Sequence, residues 1–273
     1  MFGRERIELK SLDQVRSMRR AGLVVADALG AVRATLGPGV TTAFLDGVAA
    51  QAIERAGAVP SFLGYEGYPA TICVSVNDEV VHGIPGERVL EVGDVVSVDC
   101  GAIVDGWHGD SAFSAVVGSA DPEDEALVAA TEAAMWAGIA ALAGGDRVSV
   151  VGEAVEDLIA SRDVRYGIVQ DYVGHGIGTA MHQAPDVPNY RLRPRGPRLR
   201  AGMVLAIEPM LARGTGRTHE LDDGWTVVTD DGSRAAHWEH TVALLDDGLW
   251  VLTAEDGGAE RLTELGARVA PLE

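Results

Sequence analysis

Four carboxylates lie where a chain that buries its strands should not tolerate them. Asp99 and Asp110 flank a two-residue turn signal, Asp105-Gly106, within an apolar stretch. Glu208 interrupts the apolar run Val204 to Met210, and Glu239 opens another in Trp238-Glu239-His240-Thr241. Aspartate is depleted in strands, and a carboxylate is almost never fully buried unless it is paired or bound to a cation. His175 sits among glycines, in Gly174-His175-Gly176-Ile177-Gly178, where close backbone approach can fix a ring as a metal ligand requires. If these five side chains converge they bring four negative charges, enough to balance two divalent cations; without cations they would repel one another. The fold must then gather residues spread from 99 to 239, and the chemistry expected is that of a dinuclear metallohydrolase.

Two of the five can be placed by register. Val95 to Val104 and Trp107 to Val117 alternate as strands around the Asp105-Gly106 hairpin signal. With those two residues at the centre of the turn, Val104 pairs with Trp107 and Asp99 with Ala112. Asp110 then shares a face with Asp99 as its diagonal neighbour, about 7–8 Å away at the backbone.

The remaining signals give an order of elements. Ser11-Leu12-Asp13-Gln14 is a capping-box pattern that opens a helix to about Leu36, stopped by Gly37-Pro38-Gly39. Thr42 is expected to cap a second helix to about Ala56, closed by Gly57. A β-rich region, about Thr71 to Val117, follows. Asp121-Pro122 starts an alanine-rich helix ending at Gly144-Gly145, and another helix runs from about Val150 to Ser161. Strands are expected near 166–172, 202–210, 225–228 and 237–246. The order helix, helix, strands occurs twice without a sequence repeat. We read residues 1–273 as one catalytic domain of two similar halves, about 11–120 and 121–250, with Asp99 and Asp110 from the first half and the other three ligands from the second.

A chain of 273 residues, 47% apolar, can build one large core. Its net charge of −19 argues against general nucleic-acid binding, which needs a basic face. Met1 to Lys10 is charged and has no apolar run, so no secretory signal is expected. The stretch Ala126 to Leu142 is broken by Thr131 and Glu132 and is too short for a bilayer. A cytoplasmic monomer with no membrane association is expected. Cys73 and Cys100, without metal-site spacing, read as reduced buried thiols. Residues 189–200 read as a loop in which Arg191, Arg193, Arg195, Arg198 and Arg200 form a local basic patch, a place for transient contact with a ribosome or another anionic partner.

Seven stretches, in order and over nearly the whole chain, resemble type I methionine aminopeptidase: Gly67-Tyr68-Pro69, Asn77 to Pro85, Asp105-Gly106-Trp107-His108-Gly109-Asp110, Gly174 to Gly178, Ile207-Glu208-Pro209-Met210, Asp223 to Val227, and Glu239-His240-Thr241. The resemblance implies an α+β "pita-bread" fold, with two pseudo-symmetric halves of helices on curved antiparallel sheet around a dinuclear site. It implies that Asp99 is bidentate to one metal, that His175 ligates the other, that Asp110 and Glu239 bridge both, and that Glu208 ligates and acts as acid and base. It further implies His182 at the scissile carbonyl, His82 at the peptide backbone beyond it, and a substrate α-amine on a metal position.

The methionine pocket implied is apolar and shallow, lined by Tyr65, Tyr68, Cys73, Met181 and Trp225. Phe62 and Met181 depart from the family pattern, where a smaller residue and an aromatic are common. Substrates would be the N-termini of nascent polypeptides with a small second residue. Donors rich in oxygen with one imidazole suit Mn, Fe, Co or Zn. Two rivals remain: an Xaa-Pro aminopeptidase or prolidase, which usually carries an extra N-terminal domain, and a non-catalytic binding protein of the same fold, against which the full ligand set and both auxiliary histidines argue.

Overall fold

The computed structural model describes residues 6–272, so the first half of the Met1 to Lys10 stretch, in which no secretory signal was expected, lies outside the described residues. Helix α1 spans Leu12–Thr35 and opens on the expected capping box: Ser11 Oγ accepts from the Gln14 N–H, and the Gln14 side chain accepts from the Ser11 N–H at 2.8 Å. Its buried residues Val15, Met18, Gly22, Val25, Leu29 and Val32 recur every three or four positions, one face of a 3.6-residue helix. Helix α2, Thr42–Arg55, is capped by Thr41, not Thr42. The Thr42 hydroxyl instead holds the Gly86 backbone, accepting from its N–H at 2.8 Å and donating to its carbonyl. Asp121 caps α3, Pro122–Ala141, with Pro122 at the first turn, and α4 spans Val150–Ala160.

A nine-stranded antiparallel sheet runs in the order Val59–Pro60, Val95–Val104, Trp107–Val116, Glu239–Leu245, Val204–Ile207, Gly174–Gly176, Gln183–Val187; Ile72–Val76 also pairs with the second of these and Gly248–Val251 with the fourth. Two three-stranded sheets stand beside it. One joins Ala235–His237, Met210–Ala212 and Gly167–Ile168; the other joins Thr218–Glu220, Val227–Thr229 and Glu79–Val81. The expected strands 202–210 and 237–246 are each cut in two. The first breaks at Glu208-Pro209 and the second at Trp238, and in both cases the chain leaves one sheet for another. Pro209 has no N–H for a ladder, which accounts for the first break. The strand expected at 225–228 forms at Val227–Thr229.

The main core unites α1, α2 and α3 with the large sheet, through residues such as Val25, Leu45, Val98, Met135 and Leu205. Backbone meets backbone where α1 crosses the Trp107–Val116 strand. A Cβ on Gly109 would lie 2.7 Å from the Gly22 nitrogen, and one on Gly22 would lie 2.2 Å from the Leu252 carbonyl oxygen. Glycine at 109 lets the helix press against the strand one residue from Asp110, and glycine at 22 lets it press against the backbone at Leu252. Among the described residues, no helix is long and apolar enough to cross a membrane.

Candidate metal centre

The Asp105-Gly106 hairpin has the register that the turn signal demands: Val104 faces Trp107, Asp99 faces Ala112, and Gly101 faces Asp110. On its other side Ala112 faces Glu239. Asp99 and Glu239 therefore flank one small residue on a common row, and Asp110 is two residues along the middle strand on the same face. Gly176 pairs with Leu205, which brings His175 to the strand that ends just before Glu208. Close approach explains the glycines here: a Cβ on Gly174 would lie 2.3 Å from the Ala206 oxygen, and one on Gly176 would lie 2.4 Å from the Ala184 oxygen.

The sheet thus brings Asp110, His175 and Glu239 together, all buried, with one donor atom from each within 4.8 Å of the others. Asp99 and Glu208 line the same cavity, of about 170 Å³, and His175 Nε2 lies 3.3 Å from Glu208 Oε1. All five expected ligands meet.

Their chemistry is that of a cation site. His175 Nδ1 is 3.0 Å from the Gly176 carbonyl, which can only accept, so the ring proton is on Nδ1 and Nε2 presents a lone pair. That lone pair faces a carboxylate oxygen that has no donor. Asp99 Oδ1, Asp110 Oδ1, Glu208 Oε1 and Glu239 Oε1 are all buried without a hydrogen bond. Burial pushes every one of these carboxyls up, Asp99 to about 7. Asp99 drives Asp110 and Glu208 higher still, and Asp110 does the same to Glu239. Burial, then His182, holds His175 down at about 3. Acceptors crowded together with a neutral imidazole, with no proton donor among them, fit divalent cations.

Surrounding hydrogen bonds fix the backbones and leave one oxygen of each carboxylate without a partner. Thr241 Oγ1 donates to the Asp110 carbonyl at 2.7 Å, Ser111 Oγ to the Glu239 carbonyl at 2.6 Å, and Asn189 Nδ2 to the Glu208 carbonyl at 3.1 Å.

Beside the carboxylates the cavity lining is largely apolar. Phe62, Tyr68, Cys73 and Met181 are buried together, with Tyr65 and Trp225 partly buried against them. The Tyr68 hydroxyl donates to the carbonyls of Ile72 and Gly83, so its polar end is already satisfied. Its ring meets Trp225 edge-on at 5.0 Å. Every residue expected in the pocket is present, and Phe62 adds a further wall. Cys73 and Cys100 are both free and buried, as the sequence suggested.

His182 stands at the mouth. Its Nδ1 is 2.9 Å from the Tyr65 hydroxyl and its ring 4.4 Å from that of His175. With the tyrosine as donor, Nε2–H is left to point at a ligand. His82 has φ +60° and lies edge-on to Tyr172 at 5.4 Å; burial pushes it down to about 4.

His108 and His237 were given no role in the sequence reading. His108 Nδ1 is 3.0 Å from Ser61 Oγ and its N–H donates to the Gly178 carbonyl, tying the Asp110 strand to the His175 loop. His237 is buried with Nε2 3.8 Å from Glu208 Oε2. Its only signal was a lone histidine in the apolar run Ala235-Ala236-His237-Trp238, two residues before a ligand. The arginine loop is less basic than its composition: Arg191 pairs with Glu156 and Asp157, and Arg195 with Asp146 and Glu153.

Residues 16–246 match metallopeptidase family M24. The chain is 53% identical over 256 residues to methionine aminopeptidase 1 of Mycobacterium tuberculosis (strain CDC 1551 / Oshkosh), covering 92% of this chain and 96% of that protein. Among solved structures it is similar to the methionine aminopeptidase of Thermotoga maritima, with a TM-score of 0.88 and 40% identity over 92% of this chain and all of that one. The prolidase of Pyrococcus furiosus shares the fold, with a TM-score of 0.71 at 19% identity over 90% of this chain and 65% of that one.

Proposed function

The chain belongs to metallopeptidase family M24, among its methionine aminopeptidases, and on that premise we propose that it removes the N-terminal methionine from newly made polypeptides whose second residue is small. The observation that carries this reading is one cavity lined both by five metal-type donors and by the apolar cluster of Phe62, Tyr68, Cys73, Met181 and Trp225. At about 170 Å³ it has room for one side chain and little more. A pocket of that size suits the single side chain at a polypeptide terminus.

Asp99, Asp110, His175, Glu208 and Glu239 would hold two divalent cations drawn from Mn, Fe, Co and Zn. When bound, these lower the pKa of a water towards neutrality and polarise the scissile carbonyl. Glu208, beside His175 and at the edge of the cavity, takes the proton of the attacking water and passes it to the leaving amide nitrogen. His182, its Nδ1 engaged by Tyr65, donates from Nε2 to the oxygen on which charge develops. His82, held rigid between Tyr172 and Trp225, contacts the peptide backbone beyond the scissile bond. The chain would work as a monomeric single domain of two halves, about 11–120 and 121–250, in the cytoplasm where nascent chains emerge. Arg193, Arg198 and Arg200 would offer the charge for transient ribosome contact.

The test is release of free methionine from Met-Ala-Ser, with Gly-Ala-Ser and Met-Leu-Ser beside it, with and without added Mn or Co. Metal-dependent release from Met-Ala-Ser, abolished by a chelator and weak for Met-Leu-Ser, is expected. Cleavage of Xaa-Pro peptides whatever the first residue would reassign the chain to prolidase chemistry.

A further inference from the structure

The two oxygens of Glu208 face two different histidines. Oε1 lies 3.3 Å from His175 Nε2, on the side of the other donors, and Oε2 lies 3.8 Å from His237 Nε2. His237 is 2% exposed, and its Nε2 has no hydrogen-bond partner. An orphaned ring nitrogen at that depth is costly, and a carboxylate oxygen, Glu208 Oε2, stands 3.8 Å from it.

The ring is built into this place. His237 ends the Ala235–His237 strand and pairs with Met210, two residues past Glu208. Its N–H donates to Ser114 Oγ at 2.9 Å, and Ser114 Oγ donates to its carbonyl at 2.8 Å, so the hairpin that carries Asp99 and Asp110 clamps its backbone from the other side. Asn189 likewise fixes the backbone of Glu208. Both partners are anchored at the main chain, and only the side-chain torsions of Glu208 remain to be set.

We propose that His237 is a positioning residue for Glu208: its Nε2–H donates to Oε2, fixing the carboxylate's rotation so that Oε1 is presented to the metal centre. Closing the present 3.8 Å separation by about 0.6 Å brings Oε2 into hydrogen-bond range. His237 itself touches no substrate. Its effect on turnover passes through the orientation of the group that carries the proton, so it rests on the aminopeptidase reading, while its effect on metal affinity does not.

The experiment compares His237→Gln, which keeps a donor at that reach, with His237→Leu, which fills the space without one. Zinc affinity of the metal-free proteins is measured by calorimetry, and kcat and KM on Met-Ala-Ser after reloading. His237→Leu is expected to bind zinc ~10–100-fold more weakly, as for other groups that orient a metal ligand. It should also lose kcat with KM little changed. His237→Gln should recover most of both. Equal losses in the two variants would assign the effect to packing and overturn the proposal, and so would wild-type affinity in both. Should His237→Leu not fold, the nitrogen-bound proton of the His237 ring decides in the wild-type chain: adding zinc should shift its resonance downfield, and an unmoved resonance overturns the proposal. A wild-type protein that binds zinc but releases no methionine would sink the functional reading alone.

Discussion

Asp110 occupies the most demanding position in the centre: buried, facing the Asp99 row, with one donor-free oxygen and a backbone held at both N–H and C=O by Thr241. Asp110→Ala should cost more than the ~10–100-fold typical of groups that merely orient ligands. Methionine release in excess metal measures it, and a near-normal rate would refute the assignment. If His182 donates to developing charge as proposed, His182→Ala should lower kcat ~10²–10³-fold with KM nearly unchanged; a rise in KM alone would make His182 a binding group. The carboxyls give a pH prediction. Burial raises their folded pKa, Asp99 to about 7, above the unfolded value of about 3.9. Between those values the metal-free folded protein binds more protons than the unfolded chain, so its stability falls as pH rises through the window. Cations take the place of those protons, so the gain in melting temperature on adding metal should be larger at pH 8 than at pH 5.5. A gain independent of pH would show that these groups are already ionised.

At the scale of elements, Gly109 decides how closely α1 approaches the hairpin, and Gly22 how closely it approaches the backbone at Leu252. Gly22→Ala drives a methyl against the fixed Leu252 carbonyl and should destabilise the fold by ~1–3 kcal/mol. Denaturant unfolding reads this, and an unchanged midpoint would mean that the helix can move aside freely. The hairpin itself was legible down to its register, because Asp-Gly at its turn leaves only one pairing. The second-half strands were legible as apolar runs but not as breaks. Val204 to Met210 and Ala235 to Leu245 are buried almost throughout, so nothing in their pattern marks where one sheet ends and the next begins. Glu208 and Glu239 stood out as misplaced charges; in the structure they sit at those breaks, where a strand end can aim a side chain into the space between sheets. Thr41 and Thr42 were likewise indistinguishable as caps, since either hydroxyl could serve.

Over the whole molecule, the sequence exposed the ligands as five local anomalies, but only the sheet shows why they are one site. The strand order places Glu239–Leu245 between the first hairpin and Val204–Ile207, so the last ligand in the chain lies between the first pair and Glu208. His237 stayed hidden for the same reason, since a single histidine in an apolar run is ordinary until the fold sets it against a carboxylate. That strand order also has a consequence in time. During synthesis the hairpin with Asp99 and Asp110 emerges first, and its central partner strand, headed by Glu239, emerges among the last segments. Until then the hairpin lacks its inner neighbour and the site lacks Glu239. A chain elongated only as far as Glu239 is therefore a peptidase whose site is not yet assembled, and activity must wait for the strand that joins the two parts of the sheet.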